Sequence, residues 1–325
     1  MNQKVHISVV TPAYKCAGCI EELYRRLVPV LLGISPDYEI IFVDDGSPDR
    51  DWEVISSLCA KDTKVRGIQL SRNYGQQYAI TAGLDASYGD WVIVMDCDLQ
   101  DQPEEISKLY EKVVSGNDIV FARRVSRSDS LYRRFVSNFF ILFYNWLGDI
   151  EFDNSIANFS ICSRHVIESV CKFRERNRSF PLFVFEVGFR RATIDVIHAA
   201  RYEGKSSYNF AKLFDLAIQC ILARSNKPLR LSIRFGFMLS ILSLIFGGVI
   251  LFRYLFNEIG VPGWTTLALL ISFLGGLGFA NLGILGLYLG RVFDEVKNRP
   301  LYFVQKSLND PIGSCNKENT TRPHA

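Results

Sequence analysis

The chain has 325 residues, of which 48% are hydrophobic and 22% charged, and a formal net charge of +3. That length fits one large domain or two smaller units, and the composition excludes a disordered polymer. So small a surplus of positive charge carries no signature of nucleic acid, so where the charge sits matters more than its sum.

VHISVVTPAY, ending at Tyr14, reads as a strand running into a loop and is expected to be part of the fold rather than a secretory leader. Cys19 to Leu32 has a helical pattern, and YEIIFVDDGS, from Tyr38 to Ser47, is a second strand. Asp51 to Cys59 is helical, VRGIQLSRN is a third strand, and Tyr78 to Ala86 a third helix. GDWVIVMDCDLQ, from Gly89 to Gln100, is a fourth strand. Apolar strands alternating with helices predict an α/β fold with a mostly parallel sheet covered on both faces. Ligands of such sheets bind beyond the carboxyl ends of the strands. Three strands end there in loaded loops: TPAY, VDDGS and MDCDLQ.

The eight cysteines are scattered, as expected in a reducing compartment. Cys16 and Cys19 have CxxC spacing, without the second pair that zinc requires or a thioredoxin-like context. They read as free thiols in a loop or first helical turn.

Beyond residue 228 the pattern changes. Leu231 to Phe256 and Trp264 to Leu289 are long apolar stretches, each exceeding the roughly 20 residues that cross a bilayer as a helix. They predict a two-helix transmembrane hairpin joined by Asn257 to Gly263, rather than two buried core helices. Arg224, Lys227, Arg230 and Arg234 precede the first span, and Arg291, Lys297 and Arg299 follow the second. The link holds only Glu258, with Arg253 near its start. This places both flanks, and with them the N-terminal domain, in the cytoplasm. The expected organisation is a domain over 1–228, a membrane unit over 229–291 and a tail over 292–325, disordered from about Lys306. The glycines of GGLGFANLG allow close helix approach and point to a homo-oligomer.

Asp96 and Asp98 close the fourth strand. Two carboxylates held this near each other repel unless a cation lies between them. Mg²⁺ or Mn²⁺ suits them and keeps positions open for phosphate oxygens, and Gln100 offers an amide oxygen nearby. A solvated acidic turn is the alternative for this pair taken alone. Asp44 and Asp45 end another strand, where a carboxylate can accept a base or ribose hydrogen bond. Pro12 and Tyr14 follow the first strand, where a ring can pack on a nucleobase.

The order TPAY, VDDGS, LSRNYGQ, MDCDLQDQP, FARR and EGKSSY resembles family 2 glycosyltransferases with a GT-A fold. More narrowly, it resembles polyprenyl-phosphate glycosyltransferases such as dolichol-phosphate mannose synthases and the bactoprenol glucosyltransferases of O-antigen modification. The resemblance implies roles by position. Pro12, Tyr14 and Asp44 hold the nucleoside, with Asp45 close by. Asp96, Asp98 and Gln100 hold Mg²⁺ or Mn²⁺ on the donor diphosphate. Arg123, after the next strand, faces phosphate. Arg201 and Ser206 match the segment that reaches donor or acceptor phosphate. GKSSY replaces the more usual GESKY, so the lysine stands at Lys205 and which side chain supplies the charge is open. Arg133 begins an aromatic stretch, Ser130 to Leu147, that with Tyr208 to Leu222 forms either interfacial helices, with arginines on lipid phosphate, or core-packing ones.

Many relatives carry an aspartate, proposed as catalytic base, where this chain has Asn158. Asparagine cannot serve as a base, and Asp153 lies nearby. A polyprenyl monophosphate, with a second pKa near about 6, is largely dianionic and already a nucleophile. Asn158 then orients acceptor or sugar. The implied activity is metal-dependent inverting transfer of one sugar, UDP-glucose or a related UDP-sugar first among donors, to undecaprenyl phosphate. The implied location is the cytoplasmic face of the bacterial inner membrane. The alternatives are a processive polysaccharide synthase, whose QxxRW motif is absent, and a non-catalytic membrane scaffold.

Overall fold

The computed structural model describes residues 6–124, 156–196, 227–256 and 263–310, which fall into two units. One is the sheet domain, 6–124 with 156–196 and 299–310; the other is helical, 227–256 and 263–298. Arg133, Arg201, Lys205, Ser206, both amphipathic stretches, the link 257–262 and the tail from 311 lie outside the described residues.

The sheet has eight strands: β1 (Ile7–Ala13), β2 (Tyr38–Asp44), β3 (Val65–Leu70), β4 (Trp91–Val94), β5 (Ile119–Arg124), β6 (Ile156–Ser163), β7 (Arg191–Val196) and β8 (Val304–Leu308). Their order is β7-β5-β6-β4-β1-β2-β3-β8. β4, β1, β2 and β3 are mutually parallel, and only β6 and β8 run against the rest. β2 and β3 extend to one side of β1 while β4 lies on the other, so the order reverses between β1 and β4. That reversal opens a crevice at the carboxyl edge.

The helices are α1 (Ala17–Ile34), α2 (Asp51–Lys61), α3 (Gln76–Ala86), α4 (Ile106–Val114), α5 (Arg164–Lys172) and α6 (Phe180–Glu186), with α7 (Lys227–Leu255) and α8 (Trp264–Val296) in the helical unit. Cys19, Ile20, Leu23, Leu27 and Leu31 recur at helical spacing and bury one stripe of α1. They join Ile7, Val9, Ile40, Phe42 and Ile93 in one core layer. The opposite side chains of the same strands, Val10, Ile41, Val43, Val92 and Val94, pack on α3, α5 and α6 in a second layer. A strand buried on both faces reads as a continuous apolar run, which is how SVV, IIFV and VIV appear in the sequence.

Pro12 lies inside β1, where a missing N–H would normally remove a ladder bond. The Val10 carbonyl accepts the Met95 N–H on the β4 side. Two residues on, Pro12 turns to that same side, past Val94, where β4 has ended. The proline therefore gives up no bond.

The structure differs from the sequence expectations at three places. β4 is short, and residues 95–100 form the loop that carries the acids. Arg123 lies within β5, not after it. The segment expected to be disordered from about Lys306 begins as strand β8, antiparallel to β3. Asn309 Nδ2 donates to the carbonyls of Cys59 and Val65 at 2.8 Å each, fastening that strand to the domain. β8 thus covers an edge that β3 would otherwise expose.

In the helical unit α7 and α8 touch through Ser232 Oγ and Asn281 Oδ1. Among the described residues, Phe273–Val296 is long and apolar enough to cross a membrane.

Candidate active site

The loops after β1, β2, β3 and β4 meet at the carboxyl edge. The Asp45 N–H donates to the Ala13 carbonyl at 3.0 Å, and the Lys15 N–H to Ser47 Oγ at 3.1 Å, joining the first two loops. Buried Asp51, the first residue of α2, accepts the Cys16 N–H on both carboxylate oxygens at 3.2 Å. Lys15 and Leu99 have φ of 55° and 59°, left-handed values at non-glycine residues. Leu99 lies in a predicted site loop and Lys15 directly follows one, and such strain persists only when surrounding structure holds it.

Asp44 and Asp45 are both buried, and they face different partners. Asp44 accepts the Ser47 N–H at 2.9 Å and Gln69 Nε2 at 3.1 Å. Asp45 accepts the N–H groups of Tyr74 and Gly75, each at 2.8 Å. Burial raises both carboxyls above their ordinary value, and the donated hydrogen bonds only partly oppose it. Gly46 has φ +62°, and a Cβ there would stand 2.4 Å from the Arg72 carbonyl carbon. Only glycine allows this crossing of loops. Tyr14 is 44% exposed, and the Lys15 ammonium lies 5.5 Å from its ring centroid.

Asp96 is the convergence point. Its Oδ1 accepts Gln76 Nε2 at 2.7 Å and Asn158 Nδ2 at 3.3 Å. Asn158 Oδ1 in turn accepts Gln77 Nε2 at 3.5 Å, and Gln77 Oε1 takes the Phe180 N–H at 2.7 Å. Asp98 Oδ1 accepts the Gln100 N–H at 3.2 Å. Between the two acids, Cys97 is buried and its thiol is held well above its ordinary pKa, first by a hydrogen bond with Cys16 and then by burial. It packs and stays protonated, and Cys16 and Cys19 are free thiols, as the sequence predicts.

Of the predicted residues, Pro12, Tyr14, Asp44, Asp45, Asp96, Asp98, Gln100 and Asn158 stand on the loops and strand ends of this edge. Arg123 is held differently. Its Nε donates to Asp195 Oδ1 at 2.6 Å, from partnered positions on β5 and β7. Both side chains are half exposed, and the pairing lowers the Asp195 carboxyl. Gln76 and Gln77 were missed as site residues. Their signal was Gly75, the N-cap of α3 with φ 107°, from which Gln76 reaches Asp96 on the β4 loop and Gln77 reaches Asn158 on β6.

Among the described residues no group of three His, Cys, Asp or Glu is gathered to hold a metal. Two carboxylates plus an amide, leaving positions for phosphate oxygens, still form a donor set that fits Mg²⁺ or Mn²⁺.

A mostly parallel α/β sheet with acid-bearing loops at its carboxyl edge is the GT-A architecture of glycosyltransferases. Residues 8–186 match the family model of glycosyl transferase family 2, and the chain belongs to that family. It is 34% identical to the bactoprenol glucosyl transferase of Shigella phage SfII, over 93% of this chain and 98% of that one. It is 32% identical to the undecaprenyl-phosphate 4-deoxy-4-formamido-L-arabinose transferase of Photorhabdus laumondii, over 96% and 97%. Among solved structures, it shares its fold with glucosyl-3-phosphoglycerate synthase from Mycobacterium tuberculosis, crystallised with Mn²⁺, UDP and phosphoglyceric acid. The TM-score is 0.50 and the identity 17%, over 67% of this chain and 76% of that one.

Proposed function

We infer that the protein transfers one sugar from a nucleotide sugar, a UDP-sugar first among candidates, to a polyprenyl phosphate. The observation that carries this reading is the Asp96 carboxylate at the β1–β4 crevice, held by the Gln76 and Asn158 amides. Relatives that share nearly the whole chain are named for transfer to bactoprenol or undecaprenyl phosphate.

In this reading Asp44 accepts from the nucleoside and the Tyr14 ring packs on the base. Asp96 and Asp98, with Gln100, are the ligands for Mg²⁺ or Mn²⁺, which when bound supplies positive charge beside the donor diphosphate. An acceptor phosphate oxygen forms the new bond to the anomeric carbon. The bond from that carbon to the diphosphate oxygen breaks, and its electron pair leaves with the nucleoside diphosphate. The dianionic acceptor needs no base, and alignment is the residual task. The Asn158 amide, fixed by Gln77 and Asp96, orients acceptor or sugar. Arg201, Lys205 and Ser206 are assigned to phosphate, and Arg133 to the lipid surface.

The same reading places α7 and α8 in the membrane as a hairpin, with the sheet domain and both termini cytoplasmic and copies associating through the α8 glycines. The test is a donor screen. Purified protein in detergent receives undecaprenyl phosphate, Mg²⁺ or Mn²⁺, and labelled UDP- and GDP-sugars. Label entering the lipid phase from one donor, and lost in Asp98→Ala, supports the reading. Polymer formation would replace it with a processive synthase. Donor binding without transfer to any lipid phosphate would defeat it.

A further inference from the structure

A line of hydrogen bonds runs to Asp96 through two side-chain amides, and its direction is fixed at both ends. The Phe180 N–H donates to Gln77 Oε1 at 2.7 Å, Gln77 Nε2 to Asn158 Oδ1 at 3.5 Å, and Asn158 Nδ2 to Asp96 Oδ1 at 3.3 Å. A main-chain N–H can only donate, and a carboxylate oxygen accepts. Each amide between them has an oxygen at one end and an NH₂ at the other. The Phe180 N–H takes the Gln77 oxygen and so turns the Gln77 NH₂ to Asn158. That NH₂ takes the Asn158 oxygen and leaves the Asn158 NH₂ for Asp96. Reversing the whole line would set two N–H groups against each other at Phe180 and two oxygens at Asp96.

The donor at the start of the line is held in place. Phe180 opens α6, and the segment before it is tied to α3. Arg178, 8% exposed, donates from Nε to Thr81 Oγ1 at 2.8 Å and from Nη1 to the carbonyls of Phe173 and Glu175 at 2.8 and 3.3 Å. Tyr78 Oη donates to the Arg176 carbonyl at 2.6 Å. Thr81 Oγ1 donates in turn to the Gln77 carbonyl at 2.7 Å. The backbone that carries Gln77 and the backbone that supplies the Phe180 N–H are thus joined.

Gln76 donates to Asp96 directly at 2.7 Å, whereas Gln77 acts one step further out, through Asn158. We propose that Gln77 is a positioning residue of this site: it sets which end of the Asn158 amide meets Asp96, so that the carboxylate faces a donor. The direction of the amides stands on the hydrogen bonds alone. That Asp96 then holds a metal ion rests on the proposed function.

Gln77→Glu tests the direction at nearly constant shape. The glutamate keeps one oxygen for the Phe180 N–H and presents the other, in place of an NH₂, to Asn158. Asn158 then turns its NH₂ to residue 77 and its oxygen to Asp96. Two general effects push the other way. An acid in the first turn of a helix stabilises it, and an added negative charge near a cation site tightens binding.

Full-length protein in uncharged detergent is melted and, separately, titrated calorimetrically with Mn²⁺. Gln77→Glu is expected to melt below wild type, and to lose less when built on Asn158→Ala, where no amide is left to turn. Its Mn²⁺ affinity should fall about tenfold, as when a partner that orients a ligating group is removed. Melting at or above wild type, or equal losses in the two backgrounds, would overturn the proposal. So would Mn²⁺ binding as tight as that of wild type or tighter. If wild type itself binds no Mn²⁺, the metal assignment of the proposed function fails, and the melting cycle, which needs no metal, still decides the direction of the amides.

Discussion

Asn158 Nδ2 donates to Asp96 Oδ1 at 3.3 Å, from an antiparallel strand that joins the parallel core beside β4. Gln76 Nε2 reaches the same oxygen at 2.7 Å from the start of α3. Two amides from distant parts of the chain thus fix one carboxylate oxygen. Asn158→Ala and Gln76→Ala are each expected to lower turnover about 10- to 100-fold, the usual loss when a partner that orients a ligating group is removed. Because both act through Asp96, the double variant should lose less than the product of the two. A double-mutant cycle on turnover checks this. Fully multiplicative losses would mean that the two amides act separately.

Gly46 allows the β2 and β3 loops to cross at backbone contact. Gly46→Ala would bring Cβ to 2.4 Å from the Arg72 carbonyl carbon at a φ of +62°. The expected cost is about 1–3 kcal/mol of stability, together with weaker donor binding as Asp45 loses its alignment. Gly33→Ala is the control, since nothing lies within 4 Å of its Cβ position in α1. It should be neutral or slightly stabilising in thermal melts. Equal melting temperatures for the two variants would remove the strain argument.

The parallel core was legible because its strands are continuous apolar runs, and the acids because they interrupt those runs at the carboxyl ends. Asn158 was found through the family pattern, and its contact with Asp96 gives that position a physical role. What stayed hidden depends on long-range pairing. Lys306 and its neighbours look like a polar tail because β8 has an exposed burial pattern and no apolar alternation to announce it. Its place comes from β3, more than two hundred residues earlier in the chain. The Arg123–Asp195 pair could not be read ahead because β7 supplies that carboxylate from outside any local motif.

At the amino ends of the same strands, away from the acid loops, Glu39 and Arg66 form a buried ion pair at 2.6 Å. Glu39 also accepts Ser8 Oγ and the Tyr88 N–H, while Arg66 donates to the Ala86 carbonyl and Asp310. Removing one partner leaves the other charge buried. Arg66→Ala is expected to lose about 3–5 kcal/mol, a larger penalty than replacing both by apolar residues. Chemical denaturation reads the loss. Donor affinity of the folded fraction should stay within about twofold, because no site loop is touched. A large change in affinity would show that this network reaches the carboxyl edge.

Asp44 and Asp45 give the fold a pH dependence whose sign follows from burial. Both carboxyls are raised above 3.8, chiefly by desolvation. Between 3.8 and the raised values, the folded protein keeps protons that the unfolded chain has released. Each site therefore adds stability that is present in full below the unfolded value and is lost as pH rises through the folded one. Asp44→Asn removes one of these titrations while keeping an oxygen to accept the Ser47 N–H. Its melting temperature relative to wild type should rise as the buffer moves from about pH 4 to about pH 7. Donor binding runs the other way. If the ionised Asp44 carboxylate accepts from the nucleoside, wild-type affinity falls on acidification at a pH above that of an exposed aspartate. In Asp44→Asn that limb should be lost and binding should be weak throughout. Melting curves and donor titrations across the same buffers test both signs, and parallel melting profiles for the two proteins would show that burial at Asp44 does not set them.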